Sequence, residues 1–180
     1  MRHPLRFFLA LALAGLCGIA PAASEAMVMR QKGRETGFPV PRFVSLRSDQ
    51  ARMRVGPSTD YPIRYVYHAK GLPLEILDEY GHWRLVRDSD GASGWMMAPL
   101  LSSRRTGLVA PWIKSKGALI NLLASPSASA RVVAKLQPEV RIVLRHCDGK
   151  WCAVSLLEQS GRGYLPQASV WGVYPGEFIE

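Results

Sequence analysis

Gly56-Pro57-Ser58, Gly81-His82-Trp83 and Gly94-Trp95 return later in the chain, in the same order, as Ser125-Pro126-Ser127, Gly149-Lys150-Trp151 and Gly163-Tyr164. The second set follows the first at a constant offset, with a slip of one residue at the central element. A repeat punctuated by turn residues in this way predicts two tandem β-rich modules rather than one larger domain. Small modules of that kind usually bind ligands rather than transform them.

The segments between the repeated elements agree. Val44 to Arg47, Ala51 to Val55, Ile63 to Tyr67, Leu74 to Leu77 and Trp83 to Arg87 are short runs rich in β-branched, aromatic and aliphatic residues. Turn formers separate them, among them the Gly56 to Asp60 loop, Lys70 to Pro73 and the Asp88 to Ser93 stretch. The second half repeats the order with Ala118 to Leu123, Val132 to Leu136, Val140 to Arg145, Trp151 to Leu157 and Gly163 to Leu165. Neither half holds a long apolar stripe at helical spacing free of Pro and Gly, so helices are not expected. The prediction is an all-β protein of two tandem small barrels. Module 1 spans residues 43–103, a linker rich in Ser, Arg, Lys and Gly spans 104–116, module 2 spans 117–175 and a tail spans 176–180. Residues 23–42 show no periodicity and read as a flexible lead-in.

The first 22 residues have the form of an export signal. Arg2 and Arg6 precede an uncharged apolar stretch from Phe7 to Ile19, and Ala20-Pro21-Ala22 offers a small-x-small cleavage site. That stretch is about 13 residues long, short of the roughly 20 needed to span a membrane. Leu16 before Cys17 does not fit a lipidation signal. The expected location is periplasmic or secreted, without stable membrane insertion after cleavage.

Export changes the meaning of charge and cysteine. The chain carries a net charge of +9, and only two of its 23 Lys and Arg fall in the leader. Outside the cytoplasm this basic balance points to anionic envelope material rather than nucleic acid. Cys147 and Cys152 flank a turn, Asp148-Gly149-Lys150-Trp151, and an oxidising compartment favours a disulfide between them. The loop is short, so the bridge should add about 1.5–2.5 kcal/mol. His146 and Cys147 are neighbours on a strand and point to opposite faces, which argues against an activated thiol.

Arg52-Met53-Arg54-Val55-Gly56-Pro57-Ser58, with Gly81 to Val86 and Gly94-Trp95, resembles the signature of bacterial SH3-like (SH3b) domains. Asn121 to Ser127 resembles the same opening, with Leu123 where the signature has Arg. The Cys147 to Cys152 run and Trp171-Gly172-Val173-Tyr174-Pro175 resemble an exported tandem proteobacterial subgroup. The resemblance implies SH3-like barrels acting as binding modules, with peptidoglycan peptides or an extended segment of an envelope protein as partners. A structural or scaffolding role in an envelope complex is the alternative.

No catalytic residue, metal site or cofactor motif is predicted. His68, His82 and His146 lie far apart, and the Glu residues each fit a strand edge or loop. The candidate ligand-binding residues are the aromatics Tyr61, Tyr65, Tyr80, Trp95 and Tyr164. Trp83 and Trp151 are expected in the barrel interiors, and Arg54 is expected to reach loop carbonyls. Gly56, beside Pro57, and Gly81 and Gly94 are assigned to turn geometry.

Overall fold

Short β-branched and aromatic runs between turn formers favour short antiparallel strands, and the described chain is built mainly from them, with two short 3-10 turns at Ala98–Leu100 and Gln167–Ser169. A computed structural model describes residues 30–180, so the expected leader over 1–22 lies outside the described residues. A small hairpin opens this part, β1 (Gln31–Lys32) and β2 (Pro39–Val40). The first sheet follows, with β3 (Arg42–Leu46), β4 (Ala51–Arg54), β5 (Ile63–Tyr67), β6 (Pro73–Tyr80), β7 (Trp83–Arg87), β8 (Ser93–Met97) and β9 (Leu101–Ser102). The second holds β10 (Thr106–Val109), β11 (Ile120–Leu123), β12 (Val132–Leu136), β13 (Arg141–Asp148), β14 (Trp151–Leu156), β15 (Arg162–Pro166) and β16 (Val170–Trp171). A final strand, β17 (Phe178–Ile179), pairs with β13. Among the described residues no helix is long and apolar enough to cross a membrane.

The two sheets share one topology. Their strand orders are β5-β4-β8-β7-β6-β3-β9 and β12-β11-β15-β14-β13-β10-β16, identical once each strand is matched to its counterpart. Each module has its own core, with Leu46, Met53, Leu74, Val86 and Met96 buried in the first. Leu122, Ile142, Val154 and Leu165 fill the second. Each such side chain contributes about 1.5–3 kcal/mol of transfer free energy.

The modules also pack on each other. β3, the first half of β6 and β10 are buried along nearly their whole length, because one face of each covers its own core and the other faces the neighbouring module. Phe43 meets Trp171 edge-on at 5.1 Å and Tyr174 at 4.7 Å between ring centroids. The Tyr174 hydroxyl donates to Glu75 Oε1 at 2.8 Å, while Arg87 Nε donates to Glu75 Oε2 at 3.0 Å. Burial, then the bond to Glu75, pushes the Tyr174 hydroxyl pKa well above the usual tyrosine value. A buried carboxylate is tolerated here because both modules supply its partners.

Three boundaries differ from the sequence reading. Within the expected lead-in over 23–42, the described part forms the β1–β2 hairpin and begins β3, and Val40 joins the first core. The expected linker over 104–116 contains β10, the first strand of the second sheet. The expected tail over 176–180 contains β17. Two-residue strands are too short to show a period, and a strand buried on both faces shows no alternation.

The opening hairpin is held by one carboxylate. The Glu79 side chain is fully buried and accepts from Thr36 Oγ1 at 2.7 Å, Thr36 N at 2.9 Å and Glu35 N at 3.0 Å. Arg42 Nη2 donates to it at 2.6 Å, and Arg84 Nε lies 3.5 Å away. Arg84 also donates to the carbonyls of Gly81 and Trp83. Glu79 and Arg84 are register partners on β6 and β7. Their counterparts on β13 and β14 are Cys147 and Cys152, which are disulfide-bonded with a Cα–Cα separation of 4.1 Å. The same inner rung is therefore closed by an ion pair in module 1 and by a covalent bond in module 2. β1–β2 covers the first rung and β17 pairs beside the second.

Burial alone would raise the Glu79 carboxyl, but the Thr36 hydroxyl, Arg42 and the two backbone N–H groups overcome it and bring the pKa down to about 2. The folded value lies below the unfolded one, so this carboxylate stabilises fully above about pH 4.5, and the contribution is lost as pH falls through 2. We expect Glu79→Gln to lower the stability measured by urea unfolding at pH 7 by about 3 kcal/mol. The gap to the natural protein should close progressively between pH 4.5 and 2. Equal stability of the two proteins at pH 7 would remove Glu79 from this role.

Candidate functional site

In an antiparallel sheet, directly opposed residues share a face. Tyr80 opposes Trp83, which opposes Met97. One rung further, Leu85 opposes Trp95, Trp95 opposes Arg54 and Arg54 opposes Ile63. Val86, Met96 and Met53 take the inner positions of the same strands. Module 1 therefore carries a patch of aromatic and aliphatic side chains on its outer surface. Tyr80, Met97 and Ile63 are exposed in this patch, and Trp83, Leu85 and Trp95 are half-buried.

Module 2 presents the equivalent surface. Trp151 opposes Pro166, while Ala153, Tyr164, Leu123 and Val132 form the next rung. Asp148 Oδ1 accepts from Lys150 N at 2.9 Å and Trp151 N at 2.7 Å, which fixes the turn and the start of β14. Those bonds from the Trp151 and Lys150 amides hold the Asp148 carboxyl below its usual pKa.

Arginines border both patches. A groove of about 380 Å³ beside Trp83 is lined by Arg52, Arg54, Thr59 and Met97. A groove of about 700 Å³ beside Tyr164 is lined by Arg131, Arg145, Arg162 and Val133. Aromatic surface flanked by guanidinium groups suits a ligand with a ring or apolar face and a carboxylate. Arg52 and Arg54 lie two residues apart on β4, within the stretch that resembles the SH3b opening, whereas Arg131, Arg145 and Arg162 carry no motif and are brought together only by the fold.

The structure separates the five aromatic candidates. Trp95 and Tyr80 share the outer face of module 1, and Tyr164 occupies the Trp95 position in module 2. Tyr65 opposes Met53, one residue before Arg54 on β4, so it lies on the other face, with its ring 6.3 Å from that of Tyr67. Tyr67 itself is half-buried, and its hydroxyl donates to Asp88 Oδ2 at 2.8 Å. Burial first, then the Asp88 bond, raises the Tyr67 pKa well above the usual value. The exposed ring of Tyr61 lies over Gly56. Arg54 Nη1 donates to the Tyr61 carbonyl at 2.7 Å.

Two interior assignments need correction. Trp83 and Trp151 are half-buried on the outer faces, because Val86 with Arg84, and Val154 with Cys152, occupy the inner positions of β7 and β14. Among the glycines, Gly81 does need its turn, with φ of 52°. Gly56 and Gly94 serve close approach instead. A Cβ on Gly56 would fall 2.6 Å from the Tyr61 ring, and one on Gly94 would fall 2.6 Å from the Arg54 carbonyl oxygen. Gly163 repeats the second contact, 2.6 Å from the Leu123 carbonyl oxygen. Among the described residues no three His, Cys, Asp or Glu side chains gather as metal ligands.

The bacterial SH3 domain family matches residues 47–103 and again 116–172, more than half of the chain, and the protein belongs to this family. Both matches begin after the first strand of their sheet, so β3 and β10 complete modules that the sequence pattern only partly covers. Among solved structures, NlpC2 from Trichomonas vaginalis is similar over 73% of this chain, with 12% identity and a TM-score of 0.32. The match spans 48% of that protein, so this chain corresponds to about half its length. No curated protein matches the chain.

Gly94→Ala and Gly163→Ala should each push two backbones apart beneath the outer aromatic. We expect each to cost about 1–3 kcal/mol in thermal or urea unfolding. Wild-type stability in both variants would show that the strands have room at these points.

Proposed function

We propose that this protein is a non-catalytic binding protein of the cell envelope, whose two SH3 modules recognise peptidoglycan through their outer aromatic faces. The observation that carries this reading is the duplicated face, with Trp83 and Trp95 bordered by arginines in one module and, in the other, Tyr164 bordered by arginines on the face that also carries Trp151. Wall material offers sugar rings for stacking and stem-peptide carboxylates for arginine, and a repeating polymer can engage both modules at once. Two linked weak sites gain strength by effective concentration, without any new contact. The disulfide fits an oxidising compartment, in keeping with the expected export signal.

A second reading, a scaffold within an envelope complex, draws on the sheet edge at β5. There Ile63, Tyr65 and Val66 are exposed, and an extended partner segment could add a strand.

Co-sedimentation of the exported chain with isolated sacculi separates the two. We expect pelleting that survives high salt, weakens several-fold in Trp95→Ala or Tyr164→Ala, and falls at least tenfold in the double variant while circular dichroism stays unchanged. Pelleting abolished by salt alone would reduce the interaction to charge attraction. Absence of pelleting, with capture of an envelope protein by cross-linking through β5, would favour the scaffold.

A further inference from the structure

Between the two modules lies a cleft of about 460 Å³, lined by residues of both halves and sharing no lining residue with the two aromatic grooves. Its volume falls in the range of small-molecule and short-peptide sites. The floor is apolar and tight. Leu157 is half-buried, and Gly71, with φ of 78°, sits so close under it that a Cβ would fall 2.5 Å from Leu157 Cδ2. The walls are fixed to each other, because Arg141 Nη1 donates to the Lys70 carbonyl at 2.7 Å and its guanidinium pairs with Glu158.

The rim is different in character. Arg47, Lys70 and Arg104 line the cleft, are solvent-exposed, and form no ion pair among the described residues. Asp49 lines it too and likewise has no cationic partner among them. Three uncommitted cations and one uncommitted carboxylate around an apolar floor complement a ligand that carries both charges on a small aliphatic body. Inorganic phosphate would leave the floor and Asp49 without a use, and a purely apolar ligand would leave the cations without one. Because the walls are held before any ligand arrives, little ordering cost opposes binding.

We propose that this intermodule cleft binds a short aliphatic peptide with a free carboxylate and a free amino group. The carboxylate is held by Arg47, Lys70 and Arg104, the ammonium by Asp49, and the side chains rest on Leu157 over Gly71. The site is separate from the outer aromatic faces and does not rest on wall binding.

The test titrates the exported chain with trialanine, with its C-terminal amide and with its N-acetyl form, following backbone amide shifts by NMR. Trialanine should give saturable shifts at Leu46, Gly71 and Leu157. The amide should bind at least tenfold more weakly, and the acetyl form several-fold more weakly. Changing both exposed arginines, Arg47→Ala with Arg104→Ala, should weaken trialanine at least tenfold. Asp49→Asn should weaken trialanine but not the acetyl form, and Trp95→Ala should leave all three affinities unchanged. No saturable shifts at the cleft, or equal affinity for acid and amide, overturns the proposal. Equal binding of inorganic phosphate with the same shifts also overturns it, since that would make the cleft a plain anion site. Sacculus pelleting is scored separately, so either idea can fail without the other.

Discussion

Backbone approach at two glycines sets the side-chain arrangement that the rest of the molecule uses. Where β4 meets β8, Gly94 leaves no room for a side chain beneath the Arg54 carbonyl, and Gly163 does the same beneath Leu123 in the second module. With the strands this close, Met53 and Met96 share the interior of one module, and Leu122 and Leu165 share that of the other. The following residue in each repeat, Trp95 or Tyr164, must then point outward. A single steric requirement thus packs the core and displays the aromatic.

The contact between modules makes these displays parts of one body. Phe43, Trp171 and Tyr174 form an aromatic junction, and Glu75 is satisfied by Arg87 from its own module and Tyr174 from the other. Two small domains on a free tether would sample many orientations. Here the strand that opens the second sheet follows directly on the strand that closes the first, and both sit near the shared surface. Intermodule geometry is therefore set by packing, which is what allows a cleft with fixed walls to form between them.

The repeat, the all-β class and the disulfide were legible from short-range patterns, because Gly-Pro-Ser, Asp-Gly and Gly-Trp each encode local geometry. Sidedness was harder to read. Trp83-Arg84-Leu85-Val86 looks like a strand with Trp and Leu inside, yet the inner positions are Arg84 and Val86, since Glu79 satisfies the arginine and the outer face is apolar too. A register shift between Ile76 and Asp78 brings Glu79 inward on the same side as Leu74 and Ile76, and no alternation rule marks such a bulge. β10 was hidden because burial on both faces erases alternation. The arginines beside Tyr164, Arg131, Arg145 and Arg162, come from distant points of the chain, so sequence alone did not group them.

The matching inner rungs have a consequence for how the molecule meets its surroundings. Duplication left two modules of one topology, but the position closed by Glu79 and Arg84 in one is closed by Cys147 and Cys152 in the other. Protonation loosens the first closure and leaves the second untouched, whereas a thiol reductant acts the other way round. Neither stress alone opens both ends of the molecule, so the two halves have complementary vulnerabilities. Strong acid alone or a reductant alone therefore leaves one of the two closures in place.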